Sequence, residues 1–162
     1  MIKPKEHIGY LPDWADHRLH SIFDYWNGVR GTRQFPRRSD IDPLDFHHHW
    51  PLIFMVEGRR VEDMTLRLAG TAYREIYGFE LTGRKLADLI PKTQSHAVLD
   101  DFEECLNEGH PVFAANEMNW RPRRSRLKYH RLLLPLGNDQ DEVSHVLGLA
   151  VFFDMSGRTM FV

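Results

Sequence analysis

Leu19, Ile22, Phe23, Trp26 and Val29 fall at steps of three, one, three and three along the chain, a spacing that lines side chains along one face of a helix. The stripe predicts a helix over about residues 14–30, with Asp13 as its cap and Asp16 set favourably against the helix dipole. Residues 51–57 (PLIFMVE) are almost continuously apolar and read as a strand. Gly58-Arg59-Arg60 turns the chain, and residues 63–69 return as a second strand in which Met64, Leu66 and Leu68 alternate with Thr65, Arg67 and Ala69. Gly70 ends that alternation, and a short helix over about 72–77 stops at Gly78, a residue suited to the left-handed position after a helix. A second long helix is predicted over 94–108, where Val98, Leu99, Phe102, Cys105 and Leu106 share a face and Gly109 closes the end. Three antiparallel strands follow, over about 111–119, 127–136 and 143–153, with turns at 121–126 (RPRRSR) and 137–141 (GNDQD). Between the first helix and the first strand, residues 31–39 (GTRQFPRRS) form a basic connector, and Asp42-Pro43 reads as the cap and first position of a short helix to about His49.

Residues 66–91 (LRLAGTAYREIYGFELTGRKLADLIP) compress a strand, short helical turns and glycine-punctuated loops into one stretch. Within it, GFELTGRKLADLIP (78–91) resembles the helical segment of PAS sensor domains, where a short helix, a Gly-x-x-x-x-Gly step and an apolar turn closed by proline follow a strand. Other marks are Tyr25-Trp26 with Arg30-Gly31-x-Arg33 and Pro36-x-Arg38, Asp40-Ile41-Asp42-Pro43, Arg67-Leu68-x-Gly70-Thr71, Leu81-Thr82-Gly83 and LLLPL at 132–136. In that order and spacing, from about residue 25 to 154, the chain is similar to a bacterial family of small free-standing PAS proteins. The resemblance implies an α+β fold: a PAS-like five-stranded antiparallel sheet with helices on one face, plus an N-terminal helical extension. The predicted order β-β-α-α-β-β-β agrees with that. It divides the chain into an extension over 1–49 and a core over 50–157. It brings no family-wide ligand, reaction or cofactor with it.

A chain of 162 residues, 42% hydrophobic and 27% charged, has globular proportions and the length to bury a core. A net charge of −2 gives no overall electrostatic footprint for nucleic acid or membrane. A single cysteine excludes an internal disulfide and suits a reducing compartment. The start of the chain carries no apolar run of signal-peptide length and nothing later approaches the length of a membrane span, so the expected location is the cytoplasm, without membrane contact.

Two readings stay open for Leu19, Ile22, Phe23 and Trp26: packing on the chain's own sheet, or an interface with the same helix of a second chain. The resemblance supports the second, because PAS-like domains often dimerise through a helix before the core. Arg67, Tyr73 and Tyr77 fall on the strand and helix that wall the cavity of PAS domains, which makes them candidate ligand-binding residues. Arg67 interrupts an apolar strand and needs a carboxylate or a ligand anion as partner. His130 joins the same interior if it shares a face with Leu132 and Leu134.

Arg30, Arg33, Arg37 and Arg38 either grip an anion or pair with Asp40, Asp42 and Asp45 nearby. Consecutive helical residues point about 100° apart, so at most two of His47, His48 and His49 can face one ion. The run reads as a surface or packed cluster and no metal is assigned. Cys105, on an apolar helix face, reads as a small hydrophobe; the Asn-Cys-Arg-Phe motif of flavin-binding photosensory relatives is absent. His96 matches the helix from which haem-binding PAS relatives take an axial histidine, against the plainer reading of an ordinary helix-start residue. Arg121, Arg123, Arg124, Arg126 and Lys128, next to Trp120, suit either a solvated hairpin tip, an acidic patch on a protein partner, or a phosphate backbone.

The chain has no Gly-x-Ser-x-Gly, phosphate loop or dinucleotide glycine pattern, and no catalytic residues are assigned. Residues 152–156 (FFDMS) resemble the Asp-Ile-Thr signature that closes many PAS domains; with only GRTMFV after it, output is expected to pass through non-covalent contact. The expected function is a non-catalytic sensory or signalling module in bacterial signal transduction. Its expected partners are a small-molecule ligand, a second copy of the chain and a separate signalling protein. The alternatives are a small metabolite-binding protein or enzyme with a cup-shaped α+β fold, and nucleic-acid binding through the basic 121–128 hairpin.

Overall fold

The protein, seen in a computed structural model that describes residues 11–119 and 126–161, is built on one antiparallel sheet. Its strands are β1 (Ile53–Glu57), β2 (Thr65–Ala69), β3 (Val112–Met118), β4 (Leu127–Gly137) and β5 (Val143–Phe153), in the order β2-β1-β5-β4-β3. A two-residue β6 (Thr159–Met160) pairs with the end of β5. The helices are α1 (His17–Arg30), α2 (Thr71–Tyr77) and α3 (Lys92–Glu108), with 3-10 turns at Pro43–Leu52 and Leu86–Leu89.

Both faces of the central strands are covered. Successive strand residues point to opposite faces, and in β4 the two directions meet different layers. Arg131 lies against Phe102 of α3. His130 lies against Trp14, just before α1, with ring centroids 5.5 Å apart. The indole N–H of Trp26 on α1 donates to the Pro135 carbonyl of β4 at 2.9 Å. The sheet is therefore sandwiched between α1 and the layer formed by α2 and α3. This explains why residues 131–137 of β4 and 146–152 of β5 are buried without interruption, as in any strand shielded on both sides.

α1 begins one turn later than its apolar stripe suggests. Pro12 to Ala15 close a turn (Ala15 N–H to Pro12 carbonyl, 3.0 Å), and Asp16, not Asp13, caps the helix by accepting from the Arg18 N–H at 2.9 Å. The short helix after Asp42 is a 3-10 segment kinked at Phe46 and prolonged to Leu52. Strand β1 accordingly starts at Ile53, past Pro51, which has no N–H to offer a ladder. Gly78 (φ 82°) and Gly109 (φ 65°) end α2 and α3 in the left-handed conformation, returning their N–H groups to Arg74 and Cys105. Of the connector arginines, Arg33 pairs with Asp40 at 2.9 Å and Arg37 with Asp141 at 3.8 Å, while Arg30 is held by Asn27 and the Arg33 carbonyl and Arg38 by the Ile41 carbonyl.

At the far end of β5, Asp154 accepts from the N–H groups of Ser156 and Arg158, each at 2.9 Å, and reverses the chain so that Thr159 and Met160 return beside Phe153 and Phe152.

Trp26, 1% exposed, joins the two layers by packing and by its hydrogen bond to Pro135. Trp26→Ala is expected to cost about 3–5 kcal/mol of unfolding free energy, read as a lowered urea midpoint at unchanged slope.

Candidate functional site

Between α2, the turn at Leu86–Leu89, α3 and the sheet lies a cavity of about 90 Å³. Phe54, Tyr129 and Phe152 of the sheet face Tyr73 of α2 and Phe102 of α3 across it. The rings meet edge-on, Phe54 to Tyr73 at 5.5 Å and Tyr73 to Phe152 at 5.7 Å, a favoured arrangement of ring quadrupoles. Phe54 can lie flat on the sheet because its cross-strand neighbour is Gly148; a Cβ at that position would overlap the Phe54 ring.

One charged side chain lines this apolar space. Arg131 of β4 is 7% exposed, and its Nη2–H donates to the Asp101 carboxylate of α3 at 2.6 Å. The guanidinium also lies 5.5 Å from the Phe102 ring centroid and 5.3 Å from that of Tyr129, within cation–π range. Its Nε is buried and has no hydrogen-bond partner, which leaves a donor with its desolvation uncompensated. The Tyr73 hydroxyl donates to the Leu52 carbonyl at 2.6 Å. Burial holds that phenol protonated by pushing its pKa far above the usual value.

Of the four residues expected to bind a ligand, Tyr73 and Tyr77 line the cavity. Arg67 does not. It points outward from β2, where its Nε–H donates to Glu57 at 2.8 Å with 56% of the side chain exposed. His130 shares a face with Leu132 and Leu134 as supposed, but that face belongs to α1. Its ring sits among Trp14, Phe113 and Phe153, with a buried Nδ1 that has no partner. Arg131, one residue along, is the cavity's cation. The signal was an arginine inside the apolar run of β4, the same cue that drew attention to Arg67. Leu19, Ile22, Phe23 and Trp26 are each 4% exposed or less, packed in the core of their own chain.

Cys105 is fully buried on α3, outside the cavity lining, and burial raises its thiol pKa well above the usual value. His96 is exposed and 3.7 Å from Asp100. His47 contacts the Leu44 carbonyl and His49 the Ser21 hydroxyl. Among the described residues no group of three His, Cys, Asp or Glu side chains is placed to hold a metal ion, and no helix is long and apolar enough to cross a membrane. Residues 120–125 of the basic tip lie outside the described residues; Arg126 and Lys128 are exposed.

The family model described as PAS domain matches residues 15–151. No curated protein matches the sequence. Among solved structures, the chain is similar to a light-oxygen-voltage (LOV) protein of Rhodobacter sphaeroides, at 17% identity and a TM-score of 0.53 over 72% of this chain and 71% of that one. A LOV domain studied with a flavin analogue gives 15% identity and a TM-score of 0.55, over 70% of this chain and 84% of that one. An RNA-binding LOV receptor gives 19% identity and a TM-score of 0.52 over 66% of this chain, which spans only 31% of the receptor's. At these identities the likeness is one of fold.

Two outcomes follow from the site's electrostatics. Arg131→Met breaks the ion pair with Asp101 and is expected to cost about 3–5 kcal/mol, whereas Arg131→Met combined with Asp101→Leu recovers most of it; urea denaturation of both variants measures the difference. Burial also holds His49, His130 and His145 below the usual histidine pKa. The unfolded chain then takes up protons below about pH 6.5 that the folded chain refuses, so stability is retained above that value and falls as the pH drops through it. The urea midpoint is expected to be lower at pH 5.5 than at pH 7.5, and His130→Asn to narrow the gap.

Proposed function

The chain belongs to the PAS domain family, and on that premise we propose that it is a non-catalytic sensory module of bacterial signal transduction, working in the cytoplasm by contact with other proteins. The observation that carries this reading is the aromatic cavity bridged by Arg131 and Asp101. It lies where α3 is tied to β4, so whatever fills it acts on the seating of a helix against the sheet. The opposite face of the same strands carries α1. A change at the cavity therefore has a short path, through one layer of strand, to the helix in front of the core. A ligand moves such an equilibrium only by its difference in affinity for the two arrangements.

We divide the chain accordingly into a helical extension over 1–49 and a core over 50–157. A homodimer through Leu19, Ile22, Phe23 and Trp26 forms by exchange of α1 between two chains, since each chain's own sheet otherwise covers those side chains. The separate signalling protein would then read whether α1 is docked or exchanged. The polar groups of the cavity support a binding role over a catalytic one: the Tyr73 hydroxyl is taken up by a backbone carbonyl and Arg131 by a carboxylate. Flavin, which belongs to the LOV structures, does not fit. Ligand pockets for molecules of that size run to roughly 300–1,000 Å³, this cavity measures about 90 Å³, and the chain's one cysteine is buried outside it.

Ala150→Leu places a larger side chain in the cavity and mimics a permanent occupant. Hydrogen-exchange mass spectrometry is expected to show altered protection in both α3 and α1 of this variant. Change confined to α3, with α1 and the oligomeric state untouched, would defeat the proposed route of output.

A further inference from the structure

We infer that the cavity takes a small uncharged molecule with an apolar body and one hydrogen-bond acceptor, and that the acceptor is read by the Nε–H of Arg131. The inference rests on the sensory reading above and specifies the ligand for that same site.

Three observations fix the class. First, size: an apolar cavity of roughly 150 Å³ holds benzene, with its six carbons. This cavity, at about 90 Å³, holds about four non-hydrogen atoms on the same scale. Second, polarity: Phe54, Tyr73, Phe102 and Phe152 present ring surface, and the Tyr73 hydroxyl is already engaged by the Leu52 carbonyl. The lining also carries the Tyr77 and Tyr129 hydroxyls, but among the described residues the Nε–H of Arg131 is the lining atom that is buried and without a partner. A buried donor left unmet is rare in folded proteins and points to a missing partner.

Third, charge: Arg131 is already neutralised by Asp101 at 2.6 Å. A carboxylate ligand would bring a second negative charge beside Asp101 and surrender its hydration to an apolar space. A ketone, ester or amide carbonyl needs one donor and brings no charge. Because a guanidinium stays protonated throughout the physiological range, the donor is present at every relevant pH, and recognition does not switch with protonation of this side chain.

The test uses three probes of four non-hydrogen atoms on the full-length protein: acetone, its shape-matched alkene isobutene, and acetate. Binding is followed by NMR through the Arg131 Nε–H resonance and the methyl groups of Val98 and Leu89 at the cavity wall. The expected result is that acetone shifts both the Nε–H and the wall methyls, the alkene shifts the methyls alone, and acetate shifts neither. In the charge-free Arg131→Met/Asp101→Leu variant, the ketone's affinity relative to the alkene is expected to fall about tenfold or more, the worth of a hydrogen bond to a charged donor.

If ketone and alkene both enter but their affinity ratio is the same in the variant, Nε is satisfied by water and the ligand class is overturned, while the cavity remains a binding site. Acetate binding as tightly as the ketone overturns the neutral class in the same way. If none of the three moves a wall methyl, the cavity admits no ligand of this size, and both this inference and the cavity-based sensing on which it rests are overturned.

Discussion

Burial of β4 and β5 on both faces is the constraint from which the rest of the molecule follows. A sheet covered on one side could carry polar residues on the other; here residues 132–136 of β4 are all apolar and all buried, so α1 has to exist to shield them. Once both faces are dry, parity along the strand decides what each side chain meets. Tyr129 and Arg131 go to the cavity, and His130 and Leu132 to the α1 side, where His130 keeps partial exposure. The Trp26 hydrogen bond to Pro135 serves the same constraint. It occupies a carbonyl in the middle of a strand whose proline contributes no N–H.

The Arg131–Asp101 pair brings charge into this interior beside the cavity. Such pairs are weak sources of net stability, because desolvation offsets most of the attraction, but breaking one is costly. Its effect here is to fix position. The carboxylate comes from α3 and the guanidinium from β4, so a helix that slid or rotated against the sheet would break the pair. Packing of Phe102 and Val98 on a smooth apolar floor tolerates small displacements; the ion pair does not.

Much of the fold was legible in the sequence because its boundaries are set by local chemistry. Gly78 and Gly109 end helices for backbone reasons that need no tertiary context, and the strands over 112–118, 127–137 and 143–153 fall within a residue or two of their apolar runs. Asp13 against Asp16 shows the limit: both are adequate caps, and the choice was made by a turn at Pro12. The site was less legible for a definite reason. Strand direction is read from alternation, and a strand buried on both faces does not alternate. LKYHRLLLPL offers no period of two to say whether His130 or Arg131 faces the helices, so the assignment to His130 rested on a face it truly shares with Leu132 and Leu134, but the other face held the cavity. Arg67 sits on β2, where Leu66 is buried but both Arg67 and Leu68 are exposed, and its partner, Glu57, comes from the neighbouring strand at the surface. Cross-strand pairing and the i-to-sheet contact of Asp101 are three-dimensional facts that no spacing along the chain encodes.

Gly148 beneath Phe54 has a consequence for how the family's members can diverge. The ring is one of the cavity's aromatic walls, and it lies where it does because the opposing residue has no side chain. Shrinking Phe54 would open volume at once, without touching the ion pair or the strand register, while any side chain at Gly148 would force the ring upward and close what space there is. Capacity is thus adjustable at two neighbouring codons, one that enlarges it and one that abolishes it, with the polar contact left in place. A lineage built on this scaffold can change the size of molecule it accommodates without redesigning the interior.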